Sequence, residues 1–191
     1  VTVGRGGLGV VNMSGGQFSS DVNQFVVGIY GGGTGIWNQT GGALFVNQEL
    51  WIGQGDPNAN GTINLNGGTI TNTSWLAVGR QGGSGVFNIN GGTYVRSGAG
   101  GGPDGPNVSI ANGGGTGTIN VNNGFVDVSA GDTWVGEGSA GAWNQNGGTA
   151  KLAYVQLARN ASATGIMNLN GGSLTATEIT TGNTGATQRE L

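Results

Sequence analysis

The sequence predicts an all-β protein that folds as a right-handed parallel β-helix of about seven coils, each built from three short strands. A phrase of the form G-x-x-N-x-x-G-G occurs six times in 191 residues, and a seventh copy has Asn123-Gly124 in place of the glycine pair. The residues around each phrase alternate between apolar and polar, the period of a strand. The apolar positions also fall at the same place in every copy, which a β-sandwich, the alternative fold, does not explain. The central asparagines are Asn12, Asn38, Asn64, Asn88, Asn120, Asn144 and Asn168.

The first strand of each coil, strand A, reads apolar-x-apolar followed by a small residue, as in Leu50 to Gly53. Because side chains alternate across a strand, the two apolar residues are expected inside the coil and the residue between them outside. A right-handed coil is expected because crossovers between parallel strands of one sheet are almost always right-handed.

Strand B is centred on the asparagine, and strand C follows the glycine pair. The residues on either side of the asparagine are predicted to point inward, which makes Trp37 and Trp143 core residues. A glutamine follows the asparagine only where such a tryptophan precedes it, at Gln39 and Gln145. We interpret this as volume trading inside one coil: the large tryptophan fills the interior, so that a polar residue can be accommodated next to it. The outward asparagines are predicted to form a ladder of stacked amides rather than a row of ligands.

Composition excludes several functional classes. The net charge is −3 and only 8% of residues are charged, so the chain has no basic surface for nucleic acid. No apolar run is long enough for a membrane span. Cysteine and histidine are both absent, which removes thiolate nucleophiles, the usual zinc ligands and serine-histidine-aspartate triads. We predict no cofactor, no bound metal, no nucleic-acid partner and no membrane partner.

The high content of glycine, 45 residues, together with the low charge is typical of a secreted or surface protein of a bacterium. We interpret residues 1–191 as a single β-helix domain, a module cut from a longer secreted polypeptide.

The outward positions of strand A hold rings, acids and amides that we predict to form one stripe along the coils. Soluble proteins seldom expose a row of aromatic side chains without a use. Rings cover the apolar faces of sugars, and neighbouring polar groups bind the hydroxyls. The predicted carbohydrate contacts are Trp51, Trp75, Trp134, Tyr154, Glu49, Asp132, Asn107, Gln54, Arg80, Glu137 and Gln156.

Two insertions, 55–60 and 97–106, are predicted to flank this stripe as loop walls, since loops of repeat proteins often mark the binding side. The alternative is that a neighbouring domain, a protomer or a loop covers the rings.

The seven phrases resemble the β-strand repeats of bacterial autotransporter passengers. The aromatic stripe of strand A resembles the carbohydrate-binding modules that adopt a right-handed β-helix, a xylan-binding family attached to plant-cell-wall hydrolases. That resemblance implies a non-catalytic module that binds β-1,4-linked plant cell-wall glycan, xylan first, and holds a catalytic domain such as a glycoside hydrolase on it. The alternative function is a structural stalk or adhesin segment of a bacterial surface protein.

An enzyme is the less favoured hypothesis. Pectate lyases and polygalacturonases are also β-helices, but the acids near the stripe are few. Glu49 and Asp132 lie three coils apart, roughly 14 Å, which is beyond the separation of glycosidase carboxylate pairs. We therefore predict no catalytic residue.

Overall fold

The computed structural model of the chain describes residues 1–98, 107–182 and the strand 188–190. It confirms the all-β parallel β-helix. Every strand pairing is parallel, and the strands are arranged in three sheets that each gain one strand per coil. Seven coils are complete, and two further strands begin an eighth.

Sheets A, B and C contain the first, second and third strand of each coil. Sheet A consists of β1 (Thr2–Arg5), β4 (Phe25–Ile29), β7 (Leu50–Gln54), β10 (Leu76–Arg80), β13 (Val108–Asn112), β16 (Thr133–Val135), β19 (Tyr154–Leu157) and β22 (Glu178–Thr181). Sheet B consists of β2 (Leu8–Met13), β5 (Thr34–Gln39), β8 (Asn60–Leu65), β11 (Ser84–Ile89), β14 (Thr116–Val121), β17 (Ala140–Gln145), β20 (Thr164–Leu169) and β23 (Gln188–Glu190). Sheet C consists of β3 (Gln17–Ser20), β6 (Ala43–Val46), β9 (Thr69–Asn72), β12 (Thr93–Arg96), β15 (Phe125–Asp127), β18 (Thr149–Lys151) and β21 (Ser173–Thr175).

The interior is one continuous apolar core, filled by the inward positions that the alternation predicts. Trp37 and Trp143 are both buried, and Phe87 packs edge-on against Tyr94 with ring centroids 5.0 Å apart. Phe18 on β3 packs against the core residues Phe25 and Trp37, but it is 39% exposed because it belongs to the first coil of the chain.

The glycine that lies three residues before each central asparagine is required by the close approach of sheets A and B. At Gly61, a Cβ atom would lie 2.1 Å from the Val27 carbonyl oxygen and 2.3 Å from the Gly53 nitrogen. No side chain fits such a space. The recurring glycine therefore marks the place at the start of strand B where its backbone passes close to that of strand A.

The predicted amide ladder is present along sheet B from β2 to β20. Each central asparagine donates its side-chain N–H to the side-chain oxygen of the asparagine one coil earlier, at distances of 2.7 to 2.9 Å from Asn38 through Asn168. A second ladder, which the sequence analysis missed, runs beside it. It joins Asn66, Asn90, Asn122, Asn146 and Asn170 at 2.7 to 2.9 Å.

The glutamines that follow tryptophan make a hydrogen bond that the sequence analysis did not predict. The indole N–H of Trp37 donates to Gln39 Oε1 at 3.2 Å, and Trp143 donates to Gln145 Oε1 at the same distance. Gln39 in turn donates to the Thr69 carbonyl at 3.0 Å. The pairing therefore satisfies a buried indole N–H, in addition to any compensation of volume.

Among the residues whose burial the structure describes, one charged side chain lies inside the coil. Arg96, at the end of β12, is 1% exposed, and its Nη2 donates to the Gly98 carbonyl at 3.2 Å. Its Nε and Nη1 have no hydrogen-bond partner among the described residues. Burial lowers the pKa of Arg96, and it raises the pKa of the neighbouring Tyr94 hydroxyl.

We expect Asn88→Ala to destabilise the protein by about 1–3 kcal/mol, since Asn88 both donates to Asn64 and accepts from Asn120. Asn12→Ala is the matched control, because Asn12 takes part in one ladder bond only among the described residues. Urea unfolding should show about half the loss for the control. Equal losses would mean that the ladder contributes nothing beyond each single side chain.

We expect Gln145→Ile to destabilise by about 1–3 kcal/mol because the Trp143 indole N–H is then buried without a partner. Trp143→Phe combined with Gln145→Ile reproduces the Phe87 and Ile89 pair of the fourth coil. The double variant should lose less than the sum of the two single variants in thermal unfolding. If Gln145→Ile alone is neutral or stabilising, volume trading is the correct explanation after all.

Candidate functional site on the outer face of sheet A

The outer face of sheet A presents three columns of side chains that run along the helix axis. The first column precedes the strands, and its backbone bonds show the register: Phe25 N donates to the Glu49 carbonyl, and Leu50 N donates to the Trp75 carbonyl. The second column is the middle of each strand, where Trp51 pairs with Ala77 and Trp134 pairs with Gln156. The third column lies at the strand ends, where Gln54 pairs with Arg80. The structure therefore brings the predicted site residues onto one face of sheet A.

Trp51 and Trp75 form one half of the candidate site, on adjacent strands. Both rings are half-buried, and the guanidinium of Arg80 lies over both of them, 4.3 Å from the Trp51 ring centroid and 5.1 Å from that of Trp75. Burial lowers the pKa of Arg80, and the charge of Glu49 opposes this shift. These rings are therefore covered by a cation rather than bare, as cation–π pairs commonly are.

Trp134 is not an exposed ring, and our expectation for it was wrong. It is only 7% exposed because the guanidinium of Arg159 lies 3.6 Å from its ring centroid. Arg159 is held in turn by an ion pair with Glu137 at 3.3 Å.

Glu137 is the centre of a polar network on this face. One of its carboxylate oxygens accepts from the Ser109 hydroxyl and from Asn112 Nδ2, the latter at 2.7 Å, and the other accepts from Arg159. Both carboxylate oxygens of Glu137 are therefore engaged within the protein. It positions Arg159 over Trp134 instead of standing free for a ligand.

A shallow groove of about 230 Å³ forms the second half of the candidate site, on β16, β19 and β22. Tyr154, at its edge, is 54% exposed. The groove combines two aromatic side chains with carboxylate, amide and hydroxyl groups. Its lining residues are Asp132, Trp134, Tyr154, Val155, Gln156, Glu178 and Thr180.

Two of the other predicted contact residues are buried, and their side chains form hydrogen bonds within the protein. Gln54 is buried, and its amide donates to Gln81 Oε1 at 2.8 Å. Asn107 is buried, and its side-chain oxygen accepts the Asp132 backbone N–H at 3.1 Å. Glu49 is half-buried in the first column.

Some residues of the face were missed by the sequence analysis. Glu178 and Thr180 complete the groove because β22 adds an eighth strand to sheet A, with Tyr154 paired to Glu178. The signal was present in the chain: Ile179 to Gly182 keeps the apolar position and the corner glycine of strand A, although Thr181 replaces the second apolar residue. Tyr30, 45% exposed beside Gln54, was also missed.

The predicted loop walls are only partly visible. Residues 99–106 of the insertion 97–106 lie outside the described residues. In the insertion 55–60, the carboxylate of Asp56 accepts the backbone N–H groups of Gly31 at 2.5 Å and of Asn58 at 2.9 Å. This carboxylate therefore stabilises its own loop against the preceding coil.

The described residues contain no group of three or more acidic side chains placed to hold a metal ion. Nor do they contain a helix of the length and apolarity that crossing a membrane requires.

Comparison with known proteins adds no family to this picture. The chain matches no protein-family model, no curated protein and no solved structure at a significant level. The resemblance to xylan-binding modules therefore stays a prediction from the sequence pattern.

We expect Arg159→Met to expose the Trp134 ring, since the guanidinium that covers it is removed. Acrylamide should then quench tryptophan fluorescence more strongly, and the loss of the cation–π contact and the ion pair should cost about 1–2 kcal/mol of stability. Arg5→Met is the matched control, because Arg5 is exposed on the first strand of the same sheet. Unchanged quenching in Arg159→Met would show that the backbone, and not the arginine, shields Trp134.

Proposed function

We propose that the chain is a non-catalytic polysaccharide-binding module that binds a neutral β-1,4-linked plant cell-wall glycan, xylan first, along the outer face of sheet A. The observation that carries the proposal is the groove beside Tyr154. An exposed ring there stands next to carboxylate, amide and hydroxyl groups on a rigid sheet. A sugar ring offers both apolar C–H faces and hydroxyls, and such a site matches both.

The charges of the groove favour a neutral glycan over an acidic one. Asp132 and Glu178 both line it, and carboxylates accept hydrogen bonds from sugar hydroxyls. The same groups repel the uronate groups of pectin, since like charges brought together at a binding site oppose association.

Trp51 and Trp75 form a second aromatic patch, at a distance from the groove that one glycan chain can span. Trp51 is on β7, and the groove begins on β16, three strand steps along sheet A. Three steps correspond to about 14 Å. A glycan chain that lies parallel to the helix axis would thus reach from the groove to Trp51 and Trp75, where it would contact Arg80 and Glu49 or displace the arginine from the rings. An open face of this kind supports weak binding, with a dissociation constant on the order of 10–100 µM.

We expect Tyr154→Ala to weaken binding about 5- to 30-fold, the loss of about 1–2 kcal/mol that one stacking ring contributes. The measurement is isothermal titration calorimetry with arabinoxylan, glucuronoxylan, β-glucan, galactomannan and pectin. Phe125→Ala is the matched control: Phe125 is an aromatic side chain with Lys151 over its ring at 5.3 Å, but on sheet C. Neutral xylan should bind, pectin should not, and only the Tyr154 variant should lose affinity.

A stalk or adhesin segment is the second candidate function, and the arginine-covered tryptophans favour it. A stalk needs aromatic rings that are covered by other side chains of the protein, as Arg159 covers Trp134. If the folded protein binds none of the glycans, the polysaccharide proposal is wrong and the stalk is the better account. If the Phe125 and Tyr154 variants lose affinity equally, the groove on sheet A is not the binding site.

A further inference from the structure

The chain contains seven Asn–Gly bonds, at Asn60, Asn66, Asn90, Asn112, Asn123, Asn146 and Asn170. An Asn–Gly bond can deamidate without a catalyst. The backbone nitrogen of the glycine attacks the side-chain carbonyl carbon of the asparagine, a C–N bond forms and ammonia leaves. Water then opens the cyclic imide to aspartate or isoaspartate, so that asparagine and water become an acid and ammonia. Glycine permits the attack because it has no side chain to obstruct it, and asparagine is among the thermolabile residues.

The fold restrains six of the seven side chains. Four of them belong to the second ladder, where each side-chain amide is held by a neighbouring asparagine at 2.7 to 2.9 Å. Asn60 donates to the Asn58 carbonyl at 2.8 Å. Asn112 donates to Glu137 at 2.7 Å.

In the four ladder residues the attacking nitrogen is engaged as well. The glycine nitrogens donate to carbonyl groups of the preceding coil, as Gly91 does to Leu65 at 3.1 Å and Gly147 does to Val121 at 3.0 Å. Gly67 and Gly171 make the equivalent bonds to Gln39 at 3.2 Å and to Gln145 at 3.0 Å. A nitrogen that donates to a carbonyl one coil away is not available to its own neighbouring side chain.

Asn123 differs from the ladder residues in both its side-chain amide and the nitrogen of the glycine that follows it. The fifth copy reads Asn122-Asn123-Gly124, so Asn123 occupies the place where the other copies have the first glycine of the pair. Its backbone N–H makes the bond of that place, to the Ile89 carbonyl at 3.1 Å. Its side chain is exposed and has no hydrogen bond within the described residues, and the Gly124 nitrogen has none either.

We propose that Asn123 is a site of spontaneous deamidation, and that stacking of the coils protects the other Asn–Gly bonds. Both reacting groups, the Asn123 side-chain amide and the Gly124 nitrogen, are free of the contacts that restrain their counterparts. The reaction needs only water, and the proposal is independent of glycan binding.

The two products act differently on the fold. Aspartate leaves the backbone unchanged and adds one negative charge at the corner. Isoaspartate lengthens the backbone by one methylene between Asn122, which is held in the ladder, and Phe125, whose N–H donates to the Gly92 carbonyl at 2.9 Å. There is little room for it, because even a Cβ atom on Gly124 would lie 2.6 Å from that same Gly92 oxygen. Isoaspartate should therefore displace β15 from its pairing with β12.

The test is peptide mapping by mass spectrometry of the folded protein during incubation in mildly alkaline buffer. The Asn123 peptide should deamidate at least about tenfold faster than the Asn90 and Asn146 peptides, a ratio that corresponds to about 1.4 kcal/mol in activation free energy. In denaturant, where the ladders are lost, the rates of these peptides should converge.

Asn123→Gly is the matched variant, since it restores the glycine pair of the other copies. It should remove the fast phase and leave the circular dichroism spectrum unchanged. The proposal is overturned if Asn90 or Asn146 deamidates as fast as Asn123 in the folded protein. It is also overturned if the ladder peptides stay slow in denaturant, because the fold is then not what protects them.

Discussion

In-register parallel stacking places each residue about 4.8 Å from its counterpart in the next coil, and most features of this protein follow from that spacing. Equivalent positions of successive coils form a column, and a residue type can recur along a column only if its side chain can pack against an identical side chain. Asparagine satisfies this condition because its amide has both a donor and an acceptor, and the ladders of sheet B use both. Charged side chains do not satisfy it, which agrees with their share of 8% of the sequence.

The outer face of sheet A is the part of the structure where the columns are least uniform. Its second column holds Trp51, Ala77, Ser109 and Trp134 in successive coils, so that large rings stand beside small side chains. The gaps leave room for Arg80 and Arg159 to fold back over the rings. Towards the end of the chain this cover stops, and the groove beside Tyr154 remains open. Variation within a column is thus what creates both the covered rings and the candidate site.

Departures from the repeat have individual physical reasons. Gln39 and Gln145 occur inside the core because a tryptophan two residues earlier needs an acceptor for its indole N–H. Ala111 and Ala158 stand where other coils have a corner glycine, and both keep the positive φ of that place, 62° and 52°. Side chains are strained there, so the corner geometry is imposed by stacking and not by local preference. Asn123 is a departure without such strain, because it stands at the first glycine of the pair, a place whose described residues have no positive φ, and its side chain lacks the bonds of the ladder.

The sequence by itself determined the architecture of this protein. The recurring glycines, the period of two and the constant place of the apolar residues are local and repeated, so three sheets, the inward core residues and the first ladder could all be predicted. The same alternation placed Trp51, Trp75, Trp134 and Tyr154 on one face. Only the tertiary structure decided which of them are accessible. The positions of Arg80 and Arg159 over the rings depend on contacts between side chains on neighbouring coils. Alternation fixes the face on which a side chain lies, whereas its cover depends on the long, flexible side chains around it, which no periodic pattern specifies.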